Sequence, residues 1–145
     1  MSEINQQLIN RIVQEVINKL NNNSADCPIK KIMVPQMSTT EEHRMHTGNP
    51  NDQVWTRDLF TLEESPRLGC GLMVMKETTF PWTLNYDEID YVIEGRLEIH
   101  INGQVISADP GEIILIPKGS SIAFSAPGSV RFLYFVYPAD WQAQK

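Results

Sequence analysis

The sequence is poor in the features that mark specialised environments. Cysteine is scarce: of 145 residues only Cys27 and Cys70 carry a thiol, and they form no CxxC or zinc-finger spacing, which excludes a disulfide scaffold and a zinc ribbon. No apolar run is long enough to span a membrane. The first apolar residues are interrupted every few positions by Asn, Gln, Glu and Arg, unlike a secretory signal, so a reducing cytoplasm is expected. Basic residues are also in deficit. Twelve Lys and Arg against eighteen Asp and Glu leave a net charge of −6, and with no basic stripe and no aromatic-basic interleave neither nucleic acid nor an anionic membrane is an expected partner. Eight glycines and nine prolines are too few and too scattered for a collagen-like or low-complexity chain. The remaining composition, 41% hydrophobic and 21% charged, suits one globular core with a short appendage.

The appendage comes first. Ile4, Leu8, Ile12, Val16 and Leu20 recur every four residues, joined by Ile9, Val13 and Ile17, and polar residues fill the remaining arc, so residues 1–20 read as an amphipathic helix. The run Asn21-Asn22-Asn23-Ser24 competes for backbone hydrogen bonds and ends it, and residues 21–28 read as a linker. The apolar stripe either packs on its own domain or on a partner subunit, or it is a docking peptide for another protein.

Residues 29–145 form the core domain. Short apolar runs alternate with turn signals, which predicts strands near 29–34, 53–62, 69–76, 89–93, 96–101, 104–108, 112–117, 120–125 and 130–137, with no second helix. Asn102-Gly103 supplies the positive φ angles of a two-residue hairpin, Asp109-Pro110-Gly111 makes a corner, and Pro127-Gly128 separates the last two strands. Short strands at this spacing make an all-β sandwich or jelly roll. The segment 132–137 places large groups on both faces, more than one interior needs, which predicts a homodimer.

Two segments resemble the cupin motifs. Glu88, six residues and Gly95 look like the end of the first, and Gly111, Pro117 and Gly119 reproduce the Gly-x5-Pro-x-Gly opening of the second. The resemblance implies a double-stranded β-helix, the cupin jelly-roll barrel. At the three other ligand positions of metal-binding cupins this chain has Trp82, Leu84 and Ile122, which offer no lone pair to a divalent ion, so no bound metal is expected. His43 and His46 read as residues of a polar loop, and His100 as an exposed strand position. More locally, the string from Phe80 to Gly95 is similar to the cupin of the ethanolamine-utilisation EutQ family. That resemblance implies acetate kinase activity in ethanolamine catabolism. It also implies residence in a bacterial microcompartment, with residues 1–20 docking on shell or cargo proteins. Many members have a longer region ahead of the cupin, here reduced to a helix and linker.

Residues two apart on a strand share a face. If the stretch is extended, Trp82, Leu84, Tyr86, Glu88 and Asp90 therefore point toward the space where a cupin keeps its ligand, with Tyr86, Glu88 and Asp90 as candidate catalytic groups and Trp82 as an aromatic wall. The alternative is that Asn85-Tyr86-Asp87 is a turn and one carboxylate alone looks inward. A kinase must also neutralise phosphate charge. No Gly-x4-Gly-Lys-Ser/Thr loop is present, which leaves Lys76, Lys118 and Arg131 as candidate substrate-binding cations, with Mg²⁺ arriving as Mg-ATP and bridging to Glu88 or Asp90; no tightly bound cofactor is expected. The blander reading of each of the three, and the one their residue types favour, is a solvated surface charge. The competing class is a non-catalytic, metal-free barrel that holds a small metabolite or joins cargo proteins.

Overall fold

The computed structural model describes residues 6–22 and 27–145. The chain divides at Val34/Pro35 into two compact units. In the first, helix α1 covers Gln6–Asn22, and Leu8, Ile9, Ile12, Val13, Val16 and Ile17 fall on one side by their three- and four-residue spacing. Ile4 and the Asn23-Ser24 part of the linker lie outside the described residues, as does the side chain of Leu20. The expected strand at 29–34 is not formed; these residues are irregular and Ile29 is 82% exposed. An apolar run makes a strand only where another strand offers its ladder, and none pairs with this one.

The second unit is built on two long bent strands. Strands β1 (Gln53–Asp58), β2 (Gly69–Thr83), β3 (Asp87–Gly95), β4 (Leu97–Ile101), β5 (Gln104–Ala108), β6 (Ile113–Ile116) and β7 (Ser121–Tyr137) follow in order. All paired neighbours are antiparallel. The C-terminal half of β7 lies between β2 and β3 in the layer β1-β2-β7-β3-β6, while its first half lies between β2 and β4, with β5 beyond. Thus β2 and β7 pass from one layer into the other and fold the sheet over, the cupin jelly roll that the motifs imply.

Pro127-Gly128 does not separate two strands, as the sequence suggested. It stands where the β2–β7 register shifts between Lys76 and Thr78, opposite Glu77 at φ 41°. A bulge of this kind absorbs a proline and bends the strand without ending it. The Asn102-Gly103 turn has the expected positive φ values of 50° and 75° and joins β4 to β5.

Inward residues alternate along β3, β4, β6 and the C-terminal half of β7 and fill the space between the layers, whereas β5 is exposed up to Ala108. Phe80, Phe124 and Phe132 are at most 1% exposed, and Phe124 stacks on the other two with ring centroids 5.5 and 6.4 Å apart. Each buried phenylalanine of this sort contributes roughly 1.5–3 kcal/mol by removal from water. Glycine is required at Gly95, where φ is +78° and a Cβ would stand 1.9 Å from the Ser129 carbonyl oxygen. The turn between β6 and β7 is tied to the segment between β2 and β3: Gly119 N–H donates to the Leu84 carbonyl at 2.7 Å, and Leu84 N–H to the Ser120 carbonyl at 3.0 Å. Lys118 N–H adds a bond to Asp87 Oδ1 at 2.9 Å. Those bonds fix the stretch that carries the site.

Candidate functional site at the barrel mouth

From the end of β2 into β3 the chain alternates without interruption. Leu84, Tyr86, Glu88 and Asp90 are buried, Trp82 is half-buried, and Thr83, Asp87 and Ile89 face out. Both carboxyl groups therefore point into the barrel, Glu88 4% exposed and Asp90 fully covered. The short turn at 85–86 preserves the phase because Gly119 and Ser120 hold Leu84 from the neighbouring loop.

The acids are inside at an energetic cost, and their protonation shows how it is met. Burial pushes Glu88 up to about 7, against the opposing effect of hydrogen bonding to Asp90 and Tyr86. Asp90 is raised well above the usual carboxylate range, first by burial and then by the neighbouring Glu88 charge. Together they behave as a pair that holds a proton at neutral pH. The carboxyls are close enough for a proton on Asp90 to serve Glu88, yet Glu88 Oε1 and both Asp90 oxygens lack a partner in ordinary hydrogen-bond geometry. Above them Tyr86 is raised by burial and then by Glu88, and its hydroxyl accepts a bond from Trp82 Nε1 at 2.8 Å. Tyr134, reaching in from β7, is raised by burial and by Asp58, to whose Oδ1 its hydroxyl donates at 2.7 Å. Gly71 makes room for that ring, since a Cβ there would lie 1.9 Å from Tyr134 Cζ.

Two cavities lead to the pair. The outer one, about 390 Å³, is lined by Arg44, His46, Trp82, Tyr86, Trp141 and Gln142 among others. Beneath it a void of about 10 Å³ is walled by Trp82, Tyr86, Tyr134 and Trp141, with Glu88 on its lining. Trp141, from the C-terminal turn Trp141–Ala143, is 6% exposed. Its ring centroid is 5.5 Å from that of Tyr86, 6.1 Å from Tyr134 and 6.3 Å from Trp82. Met45, Trp82, Tyr86 and Trp141 line both spaces, so they form the floor of one and the roof of the other.

The three cations singled out in the sequence lie elsewhere. Lys76 is exposed on β2, its Nζ 5.9 Å from the ring of Trp55. Lys118 is exposed in the β6–β7 turn. Arg131 is on the outer face of β7 and donates from Nη2 to the Met37 carbonyl at 2.7 Å. None of them lines the mouth. The basic lining comes instead from Arg44, which sequence reading passed over, with His46, read as part of a polar loop, beside it. Arg44 is held by the Asp52 carbonyl at 2.8 Å and lies over Trp55 at 5.3 Å. Trp141 was missed as well; a lone tryptophan near the C-terminus was its only signal. His100 bonds Glu98 at 3.2 Å on the half-exposed side of β4, and His43 Nδ1 accepts from Thr40 N–H at 2.9 Å. Among the described residues no group of three or more His, Cys, Asp or Glu is placed to hold a metal ion, and no helix is long and apolar enough to cross a membrane.

Comparison with known proteins agrees with this architecture. The family model described as ethanolamine utilisation protein EutQ matches residues 1–143. A protein of Clostridioides difficile (strain 630) named acetate kinase EutQ is 52% identical over 99% of this chain and 98% of its own length. A second acetate kinase EutQ, from Salmonella typhimurium, is 49% identical over 59% of this chain, and the match spans only 38% of that protein. The solved structure of the Clostridium difficile EutQ protein superposes with a TM-score of 0.80 at 62% identity, over 81% of this chain and 86% of that one.

Proposed function

We propose that this chain, which belongs to the EutQ family of ethanolamine-utilisation proteins, is an acetate kinase of that catabolism, interconverting ATP and acetate with ADP and acetyl phosphate. The observation that carries the reading is the likeness, along nearly the whole of both chains, to a protein named for that activity. Chemically, an acetate oxygen forms the bond to the γ-phosphorus as the bond to the β-phosphate oxygen breaks, and no proton must be removed from the nucleophile. The protein's part is then placement of charge. The mouth pocket fits this: Arg44 and His46 line its rim, and a proton held by the Glu88–Asp90 pair beneath lowers the repulsion that two ionised carboxylates would exert on an anion. Magnesium enters as part of the nucleotide substrate, and Glu88, on the lining of the inner void, is the carboxylate it would reach.

Two further proposals attach to this reading. The outer face of β6-β3-β7 exposes Ile89, Tyr91, Ile113, Leu115 and Phe135, with Ile89 paired to both Leu115 and Phe135; such a patch supports a homodimer. The apolar side of α1 supports docking of residues 1–20 on shell or cargo proteins of a microcompartment. A second functional reading, a metal-free binding module, draws support from one observation. Among the described residues α1 is the only α-helix, and no glycine-rich turn leads from a strand into it to cradle phosphates.

The test is turnover of ATP and acetate by the full chain, with acetyl phosphate trapped by hydroxylamine. Glu88→Gln keeps the shape of the side chain and removes its charge, and activity should fall on the order of a hundredfold or more. Glu94→Gln, at an exposed position of β3, should change little. No turnover by the unaltered protein would leave the binding module as the account.

A further inference from the structure

The void beneath Trp141 has a lining that phosphoryl transfer alone does not explain. Its volume, about 10 Å³, is close to what one water molecule or one –NH3⁺ group requires. Its one charged wall is Glu88, 4% exposed, whose Oε1 has no hydrogen-bond partner. Behind Glu88 lies Asp90, fully covered and with both oxygens unpartnered. The other walls are the rings of Trp82, Tyr86, Tyr134 and Trp141 with Met45, Met73 and Phe124, none of them cationic. Acceptors outnumber donors here, since Tyr86 and the shared proton leave Glu88 Oε1 without a partner, and an acceptor-rich space walled by aromatic rings attracts a compact cation that is itself a hydrogen-bond donor.

The geometry points to a binding site for a small primary ammonium ion, its head group in the void against Glu88 and its short alkyl part passing between Met45, Trp82, Tyr86 and Trp141 into the mouth pocket. The route follows from the shared lining, since Met45, Trp82, Tyr86 and Trp141 border both spaces. A multivalent metal ion fits less well, because no third His, Cys, Asp or Glu joins the pair among the described residues. A bare anion would meet carboxyl groups and apolar walls. The site shares Glu88 with the kinase reading but takes a ligand of the opposite charge, since that reading places its anion at Arg44 on the outer rim.

The test uses the full chain without nucleotide or acetate, at constant ionic strength, with tryptophan fluorescence and thermal melting as readouts. Propylammonium should quench the fluorescence saturably and raise the melting temperature, and neutral propan-1-ol should be weaker on the order of tenfold or more. Glu88→Gln should weaken propylammonium binding by a similar factor of about ten. If that variant does not fold, Trp82→Leu, at a half-buried ring, replaces it and should weaken binding severalfold. Absence of saturable binding, equal binding of the alcohol, or unchanged affinity in the folded variants would overturn the assignment. None of these results depends on whether the protein makes acetyl phosphate.

Discussion

The two faces of β3 are inverted relative to an ordinary half-buried strand. Its inner face carries Glu88 and Asp90, at 4% and 0% exposure, while its outer face offers Ile89 and Tyr91 to solvent at 41% and 37%. A strand under selection for stability alone would be patterned the other way. Each departure implies a separate use: acids inside the barrel are tolerated where a ligand site needs them, and apolar groups outside are tolerated where a second surface covers them. The two faces can accordingly be altered one at a time.

The largest effect is expected on the outer face. Replacing the paired residues Ile89 and Leu115 by lysine should weaken self-association by roughly a thousandfold, since each removes about 1.5–3 kcal/mol of burial. Light scattering should then fall from twice 16.5 kDa to 16.5 kDa, while the inner face keeps its ligand behaviour. An unchanged mass would break the comparison on that side.

On the inner face, Gly71→Ala forces a methyl group toward Tyr134 Cζ, 1.9 Å from the ideal Cβ position. The ring must shift and its bond to Asp58 is lost, which should cost about 1–3 kcal/mol of stability by denaturant titration. Little change would mean that Tyr134 is not held as described.

The most gradual effect, spread over several pH units, is the pH dependence. Glu88 is raised from the ordinary carboxylate value of 4.5 to about 7 on folding, so in this interval the folded chain keeps a proton that the unfolded chain has released. The associated stability is fully present below about 4.5 and is lost as pH rises through about 7, at no more than about 1.4 kcal/mol per pH unit. Burial acts on Asp90 in the same sense. Melting temperature should therefore decline over this window in the unaltered protein and decline less in Glu88→Gln; a flat or rising profile in the unaltered protein would contradict the buried pair.

The legible parts of the site are those governed by local periodicity. A two-residue spacing runs from Trp82 to Asp90, and the structure turns all five of its members inward because the Leu84 tether keeps the phase across the turn. Gly95, Gly111, Pro117 and Gly119 likewise disclosed the barrel, since backbone geometry demands them. Contacts between distant segments were not legible. Arg44, His46 and Trp141 reach the mouth from loops and one three-residue helical turn, too short for a period to announce an inward face. Lys76 and Arg131 sit on strands whose outward phase could be counted only after the bulge at Glu77 was known. The apolar run at 29–34 satisfied every local rule for a strand and lacked the one requirement local rules omit, a neighbouring strand with free hydrogen-bonding groups.

The most direct measurement of the central claim is carbon-13 NMR of the side-chain carboxyls, titrated from acid to mildly alkaline pH in the unaltered protein and in Glu88→Gln. A carboxyl resonance that titrates near 7 is expected in the unaltered protein and should vanish in the variant, with the remaining partner's titration displaced. If every carboxyl in the folded protein titrates in the ordinary range near 4, the pair is not buried as a proton-sharing unit and the inner face of β3 is not the functional site.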